Sequence, residues 1–311
     1  MLFAGCHTGN RGDNTMHFSR FEKLLFTTPV ADLQRQLVEH SQEFDSELFN
    51  INPYDQGYME QLGGFVTDTV MRSIYAITDS LYGDLGWLEK QMDRALDKMA
   101  KMCPEIRYDK FFTLVTGDYQ GYEYRVFCTD NALAVSIDHY ALGAMERYQY
   151  FGVPAYIVGL CTRDHIASDC MAAIARQHIV LPEGDLTLLD YTIAEGKTLY
   201  FLEQVLPQTP DTIRLRYTKA QLDWMESNVG NVWAWLIQNK MLYSTDLVSF
   251  HNLNDDAPKT NAFGDGSAPR TTSYIGWQIV RRYMKKSGTS MSSLLEETDS
   301  RKILTESGWR P

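Results

Sequence analysis

The sequence predicts an α+β protein in which helices dominate and a small central β-sheet precedes the last helices. Three observations predict this class. Apolar residues recur at helical spacing before residue 103 and again after residue 165, and short β-rich runs lie between, separated by Gly, Asn and Asp turns. The chain has 311 residues, of which 44% are hydrophobic, so it can bury a sizeable core. We expect a separate N-terminal segment followed by a polar tether over residues 1–16, and one globular domain over residues 17–311.

The elements before the sheet are predicted to be mostly helical. Residues 17–26 fit either a strand or a short helix. A helix is expected over residues 29–40, because it opens with a proline, which suits the first helical position. Residues 58–82 and 87–102 also show helical spacing, and the second segment is amphipathic and ends before a proline.

The predicted sheet lies in the middle of the chain. Residues 111–115, 122–127 and 133–137 are rich in β-branched and aromatic side chains. Turn-forming residues separate the three runs, so we expect them to pair with one another.

Two consecutive helices between residues 169 and 207 come closest to a chemical signature. His178 lies on an apolar stripe of the first helix, and Glu195 lies on a mostly apolar face of the second. A turn with Pro and Gly separates them, and Asp185 is the expected N-cap of the second helix. One imidazole and one carboxylate on buried faces of consecutive helices can meet.

Helical spacing returns after residue 207. Thr218 and Gln221 form a capping-box pattern for one helix, residues 273–286 predict another, and Ser293 is the expected cap of one more. The polar stretch 252–272 contains two Pro and two Gly. It is predicted to be a binding or lid loop.

The charge balance bears on the class of partner. A net charge of -11 and a pI near 5.1 disfavour nucleic acid, because phosphate binding needs Lys and Arg concentrated on one surface. No run of 18 or more apolar residues occurs, so no membrane span is expected.

The first residues resemble the end of a bacterial lipoprotein signal. The segment Met1-Leu2-Phe3-Ala4-Gly5-Cys6 has two small residues before a cysteine, which predicts lipid modification of Cys6. The polar residues 7–14 suit a flexible tether. A charged region and a long apolar region are missing before the small pair, so a cytosolic protein with a chance cysteine is the alternative. We favour a truncated or late-called start, in which case acyl chains hold the protein at a membrane.

Four further cysteines contain no C-x-x-C pair, so a structural zinc or a thioredoxin-like site is not expected. Disulfides in an exported protein and buried free thiols are both open. These cysteines are Cys103, Cys128, Cys161 and Cys170.

A set of landmarks in the second half of the chain resembles the GldB family of gliding-motility-associated lipoproteins. The resemblance implies a membrane-anchored lipoprotein, in the outer membrane and facing the periplasm, linked to gliding or protein export. It covers residues 105–311 well and the first hundred loosely. The landmarks are Ile137-Asp138 to Leu142-Gly143, Tyr148 to Tyr156, Glu195 to Tyr200, Leu206-Pro207, Tyr217-Thr218 to Leu222-Asp223-Trp224, Ala257-Pro258 and Tyr274 to Val280.

A more distant resemblance links the two central helices to predicted zinc peptidases of the zincin type. In those proteins a helix bears H-E-x-x-H, and the Glu of a following E-G motif completes the metal site. Aligning the second histidine on His178 places Ile174 at the first histidine and Ala175 at the general base. A catalytic zinc needs three protein ligands and an open position for water. The resemblance therefore implies a degenerate zincin-like fold, and we expect no metal and no other cofactor.

Three interpretations of the pair His178 and Glu195 remain. The pair is structural, with the imidazole or Lys197 satisfying a buried carboxylate. Alternatively, Ile174, His178, Glu195 and Lys197 line a remnant pocket that binds a peptide or small ligand. In the third interpretation, His178 and Glu195 belong to an active site with other chemistry.

Asp138 and His139 at the end of the third β-rich run are further acid/base candidates, although such a pair more often caps a helix. We expect a non-catalytic lipoprotein that acts through a protein or peptide partner. A hydrolase with a metal-independent or remnant site is one alternative. A glycan-binding surface protein is another, supported only by aromatic residues such as Trp233 and Trp235.

Overall fold

The computed structural model describes residues 15–44, 49, 51–119, 125–146 and 148–311. In this part of the chain, helices dominate and the strands form one small sheet, so the predicted α+β class is confirmed. The degenerate zincin-like architecture stays a prediction. Cys6 and the polar tether lie outside the described residues.

The described strands form a four-stranded mixed sheet in the order β1-β2-β4-β3. β1 pairs in parallel with β2, β2 in parallel with β4, and β3 antiparallel with β4. The central strand β4 is buried along its whole length, as expected for a strand covered on both faces. The strands are β1 (Ser19–Arg20), β2 (Lys110–Leu114), β3 (Val126–Cys128) and β4 (Ala132–Ser136).

The segment 17–26, for which strand and helix were both open, contains both. Its first residues add the edge strand β1, and a short helix follows at once. The predicted run 122–127 is placed only in part, since β3 begins at Val126 and residues 120–124 lie outside the described part. The helices before β2 are α1 (Phe21–Thr27), α2 (Leu33–Glu39), α3 (Gln56–Thr67), α4 (Thr69–Tyr82) and α5 (Gly86–Met102).

The helices after the sheet carry the rest of the core. A 3-10 segment, Ile137–Ala144, continues directly from β4. The helices are α6 (Ala155–Leu160), α7 (Ile166–His178), α8 (Leu188–Val205), α9 (Asp211–Leu215), α10 (Lys219–Gln238), α11 (Leu247–Asn254), α12 (Thr271–Ser287), α13 (Met291–Glu296) and α14 (Ser300–Ser307).

Helix caps correct two predictions and confirm one. Thr218 caps α10 through the predicted capping box with Gln221. The N-cap of α8 is Thr187 and the prediction of Asp185 is wrong, because the Asp190 N–H donates to the Thr187 hydroxyl and the Thr187 N–H donates to the Asp190 carboxylate, which completes a capping box. Ser290 caps α13, so the prediction of Ser293 is also wrong. Ser293 lies inside that helix and its N–H donates to the Ser290 hydroxyl.

Helices α8 and α12 approach each other until their backbones touch. A Cβ built on Gly196 would lie 2.3 Å from the carbonyl oxygen of Gly276, and one built on Gly276 would lie 1.8 Å from the carbonyl oxygen of Thr192. Only glycine fits at both positions. This crossing brings the start of α12 to the middle of α8.

The four described cysteines are free, with Cys103, Cys161 and Cys170 buried and Cys128 half-buried. Burial raises the pKa of the Cys128 thiol to about 11. None of the described helices combines the length and the apolar character that crossing a bilayer requires.

Candidate functional site

A polar cleft of about 410 Å³ lies between α7, α8 and the segment that joins α11 to α12. Asp169 and Arg176 on α7 and Glu195 on α8 line it. Asp256 and Arg270, from the two ends of the joining segment, line its other side. The stretch 252–272, predicted to be a binding or lid loop, therefore contributes charged side chains to the cleft.

Seven charged side chains form one continuous chain of ion pairs along this cleft. Arginine and carboxylate alternate from end to end, and neighbours in the chain are 2.8–3.8 Å apart. In order, the members are Arg125, Asp169, Arg216, Asp256, Arg270, Glu195 and Arg176. We call this set the ion-pair chain.

Asp169 is the carboxylate near one end of the ion-pair chain. Its Oδ2 accepts hydrogen bonds from Arg125 Nε and from the Tyr140 hydroxyl, each at 2.8 Å, and its Oδ1 accepts from Arg216 Nη1 at 2.8 Å. Burial alone would raise the pKa of this carboxyl, but the charges of Arg125 and Arg216 outweigh burial and hold the pKa well below its usual range. Asp169 is therefore ionised at neutral pH.

Glu195 is held by two guanidinium groups. Its Oε1 accepts from Arg176 Nε at 3.0 Å, and its Oε2 accepts from Arg176 Nη2 at 3.1 Å and from Arg270 Nη2 at 2.9 Å. Burial raises the pKa of Glu195, but the two arginines outweigh burial and lower the pKa to about 2. The pair with Arg176 is bidentate, which is the strongest geometry for a guanidinium and a carboxylate.

Two members of the ion-pair chain have left-handed backbones. Arg216 has φ 61° and Arg270 has φ 47°, in a region that costs a residue with a Cβ about 1–2 kcal/mol. Arg216 ends α9 and Arg270 precedes α12, so each bends the chain at a helix end. Strained backbone of this kind concentrates at functional sites.

Two atoms in the middle of the ion-pair chain lack a hydrogen-bond partner in the described part of the protein. They are Nη2 of Arg216 and Oδ1 of Asp256, and both are buried. The other groups of the same side chains are paired, since Arg216 Nε donates to Asp256 Oδ2 at 2.8 Å. Arg270 Nη1 lies 3.8 Å from Asp256 Oδ1. The protein therefore leaves a donor and an acceptor unsatisfied in the cleft.

The glycine crossing of α8 and α12 positions Glu195. Gly196 directly follows Glu195, and Arg270 directly precedes α12. Because the two backbones touch at Gly196 and Gly276, Arg270 reaches Glu195 across the helix pair. In the Glu195-Gly196 dipeptide, Glu195 binds the two guanidinium groups and Gly196 permits the close approach of α8 and α12.

The structure does not bring His178 and Glu195 together. The Nε2 of His178 lies 3.5 Å from the Tyr108 hydroxyl, whereas both oxygens of Glu195 belong to arginines. On α7, His178 is two residues from Arg176, and positions two apart point to opposite sides of a helix. The apolar stripe that carries His178 therefore faces the core, and the side with Asp169 and Arg176 faces the cleft.

Ile174 and Lys197 do not line the cleft either. Ile174 is completely buried in the core. The Lys197 ammonium donates to the carbonyl oxygens of Leu295 and Glu297 at the end of α13. Burial lowers the pKa of Lys197 to about 8, against the opposing charge of Glu297. Lys197 therefore stabilises a helix end and makes no bond to Glu195.

Asp138 and His139 form a separate buried pair after β4. Asp138 accepts hydrogen bonds from the backbone N–H of Gly117 at 3.0 Å and of Thr116 at 3.4 Å, so it holds the segment that follows β2. His139 Nδ1 lies 3.7 Å from Asp138. Its ring packs edge-on against Tyr119. Neither residue lines the cleft.

The two tryptophans considered for glycan binding are half-buried. Trp233 packs against Trp309 and Trp235 against Phe263, both with ring planes nearly perpendicular. These contacts use part of the ring surface that a sugar would stack on.

Sequence reasoning missed most of the ion-pair chain. Its members are spread from residue 125 to residue 270 with no regular spacing, so only the fold brings them together. One local signal exists: Asp169 and Arg176 are seven residues apart and share a helical face. Within the described part of the chain, no group of three His, Cys, Asp or Glu side chains is placed to hold a metal.

The fold and the cleft define a helix-dominated α+β protein with a chain of ion pairs along a ligand-sized cleft. Residues 9–311 match the family described as gliding motility protein GldB, and the chain belongs to this family. The match begins at residue 9, so it includes most of the first hundred residues as well as the landmarks after residue 105. Membership indicates a gliding-motility-associated lipoprotein of the cell envelope. Neither the comparison with curated proteins nor the comparison with solved structures gives a match.

Proposed function

We propose that this chain is a non-catalytic, lipid-anchored envelope protein that binds a protein or peptide partner in the cleft and acts in gliding or a related secretion process. Family membership supports the envelope and gliding parts. The observation that carries the non-catalytic part is the state of Glu195, whose two oxygens are both held by Arg176 and Arg270.

A carboxylate in this state is poorly suited to catalysis. A general base works best when its pKa lies near the operating pH, and the two arginines hold the pKa of Glu195 at about 2. A metal ion at the same oxygens would have to displace two guanidinium groups. The alternative of a hydrolase that uses Glu195 therefore requires a rearrangement of the cleft before chemistry begins.

The cleft is suited to binding. Its volume of about 410 Å³ lies within the range of ligand sites. Its arginines offer N–H donors for carbonyl or carboxylate oxygens, and its carboxylates offer acceptors for N–H groups. A peptide carries both kinds of group.

Site-specific photocrosslinking in intact envelopes tests this proposal. His251 lies at the rim of the cleft with a side chain that is 70% exposed, so a photoreactive residue there should capture what enters. We expect one dominant protein adduct that disappears when Arg176→Ala is added. A probe at Arg35, which is similarly exposed and away from the cleft, is the control. No adduct at position 251, or one that persists in the Arg176→Ala background, would refute the proposed binding.

The lipid anchor is tested separately. Cys6→Ala in the full-length context should release the protein from membranes into the soluble fraction, because acyl chains are the proposed attachment. External protease applied to intact cells should leave the protein uncut if it faces the periplasm. Membrane partition of the Cys6→Ala variant would contradict the anchor and leave the proposal for the cleft intact.

A further inference from the structure

The geometry points to a carboxylate-binding subsite in the cleft, where Arg176 and Arg216 receive an acidic group of a peptide. This inference rests on the proposed peptide-binding function and adds the chemistry that the cleft recognises. Its basis is the set of hydrogen-bonding groups that the ion-pair chain leaves unused.

Arg176 is the accessible cation of the subsite. Its Nε and Nη2 are bonded to Glu195, and its Nη1 makes no hydrogen bond within the described part of the protein. The side chain is 51% exposed, so a ligand reaches it without displacing other residues. Glu195 fixes the guanidinium in place, which reduces the ordering cost of binding.

Arg216 is the inner donor. Its side chain is only 8% exposed, and two of its groups are bonded to Asp169 and Asp256. Its Nη2 is buried without a hydrogen-bond partner among the described residues. A buried N–H that lacks an acceptor is unfavourable, and a ligand oxygen that enters as the neighbouring side chains move apart would satisfy it. The left-handed backbone of Arg216 holds this donor in the cleft at a cost in strain.

The charge of the cleft favours a carboxylate over a phosphate. Lowered pKa values keep Asp169, Glu195 and Asp256 ionised, although burial opposes this. The four arginines and three carboxylates of the ion-pair chain leave one net positive charge, which a carboxylate neutralises and a doubly charged phosphate exceeds. A carboxylate also has two oxygens that match one edge of a guanidinium.

The unsatisfied acceptor favours a peptide as the source of that carboxylate. Among the described residues, Asp256 Oδ1 is buried without a hydrogen-bond partner, while the other oxygen of this carboxylate accepts from Arg216 Nε at 2.8 Å. Doubly charged phosphate has a single O–H to offer this oxygen. A peptide supplies amide N–H groups beside its acidic group, so it satisfies donor and acceptor together.

Calorimetric titration of the full chain with matched peptides tests the inference. The probes are acetyl-Ala-Ala-Glu-Ala-Ala-amide, the same peptide with Gln for Glu, and the Gln peptide with a free terminal carboxylate. We expect at least one acidic probe to bind ten times more tightly than the neutral probe. Preference for the first probe indicates a side-chain carboxylate, and preference for the third a chain terminus. Inorganic phosphate should not compete at equal concentration.

Arg176→Gln should weaken binding of the acidic probe about tenfold, since a charge-assisted hydrogen bond is lost. Arg35→Gln is the matched control, because Arg35 is also half-exposed and paired with a carboxylate. Thermal unfolding of each variant checks that it is folded.

Equal affinity for Glu and Gln probes, or no binding of either acidic probe at millimolar concentration, would overturn the inference. In those cases, an adduct at position 251 that is lost in the Arg176→Ala background would still support the proposed partner binding. Tight binding of the acidic probe without any envelope adduct would support the carboxylate-binding subsite and refute the proposed partner binding.

Discussion

Gly276 in α12 lies so close to Thr192 in α8 that a Cβ would come within 1.8 Å of the threonine carbonyl oxygen. Gly276→Ala should therefore lower the free energy of unfolding by about 3 kcal/mol or more, because the clash is with backbone and cannot be relieved by a rotamer change. Urea denaturation measures this. Gly230→Ala on the exposed face of α10 is the control, since nothing lies within 4 Å of its new Cβ. Gly230→Ala should raise the free energy of unfolding by about 0.5–1 kcal/mol relative to the unsubstituted protein.

Equal stability of the two alanine variants would show that the helices can separate at low cost. Gly276→Ala should also weaken the contact between Arg270 and Glu195, because the crossing sets their distance.

Glu195→Gln should destabilise the protein by about 3 kcal/mol at pH 7, since Arg176 and Arg270 lose their carboxylate. The pKa of Glu195 is about 2 in the folded chain, below its ordinary value of 4.5. The stabilisation is therefore complete above pH 4.5 and is lost as the pH falls towards 2. Urea unfolding of both proteins should show a difference that shrinks over this interval.

Glu39→Gln provides the control for Glu195, because Glu39 pairs with Arg35 on an exposed helix face and should change stability by less than about 0.5 kcal/mol. A Glu195→Gln protein that keeps full stability but loses a measurable turnover would favour the hydrolase alternative.

The buried ammonium of Lys197 should make stability rise at alkaline pH. Its folded pKa of about 8 is below the ordinary 10.5, so the unfolded chain holds more protons between these values. Below pH 8 the burial cost is present in full, and it is relieved as the pH rises to 10.5. The free energy of unfolding, measured relative to Lys197→Met, should rise by about 2–3 kcal/mol across this interval. A flat difference would show that the ammonium is well solvated.

Replacing a residue of positive φ by glycine should have opposite effects on stability at Lys240 and at Arg216. Lys240→Gly should raise stability by about 1 kcal/mol, because Lys240 has φ 56° and its side chain is exposed. Arg216→Gly relieves the same strain but breaks ion pairs with Asp169 and Asp256, so it should lower stability by about 3 kcal/mol. Thermal or urea unfolding distinguishes the two. A stabilised Arg216→Gly would mean that the ion pairs contribute little.

The fold was predictable where information is local. Thr218 and Gln221 signal a helix start within four residues, and the β-rich runs identify the sheet within a few residues of its observed strands. Local patterns failed where two nearby residues were equally suitable as the N-cap of a helix. Thr187 and Asp185 are both good caps, and only the hydrogen bond from the Thr187 N–H to the Asp190 carboxylate decides between them.

The cleft was not predictable because its pairing is entirely tertiary. On α7 the apolar spacing correctly identifies the buried face, and that face carries His178. The chemically rich face is the opposite one, with Asp169 and Arg176, whose partners come from distant helices and loops. Periodicity finds what a helix buries, but it does not find which charges meet across a cleft.

The ion-pair chain draws its seven members from five separate segments between residues 125 and 270. No shorter fragment contains them all, so the proposed binding surface is complete only after the last of these segments has docked. A partner that binds there would bind only the folded molecule. By mass action it also protects the finished molecule from unfolding.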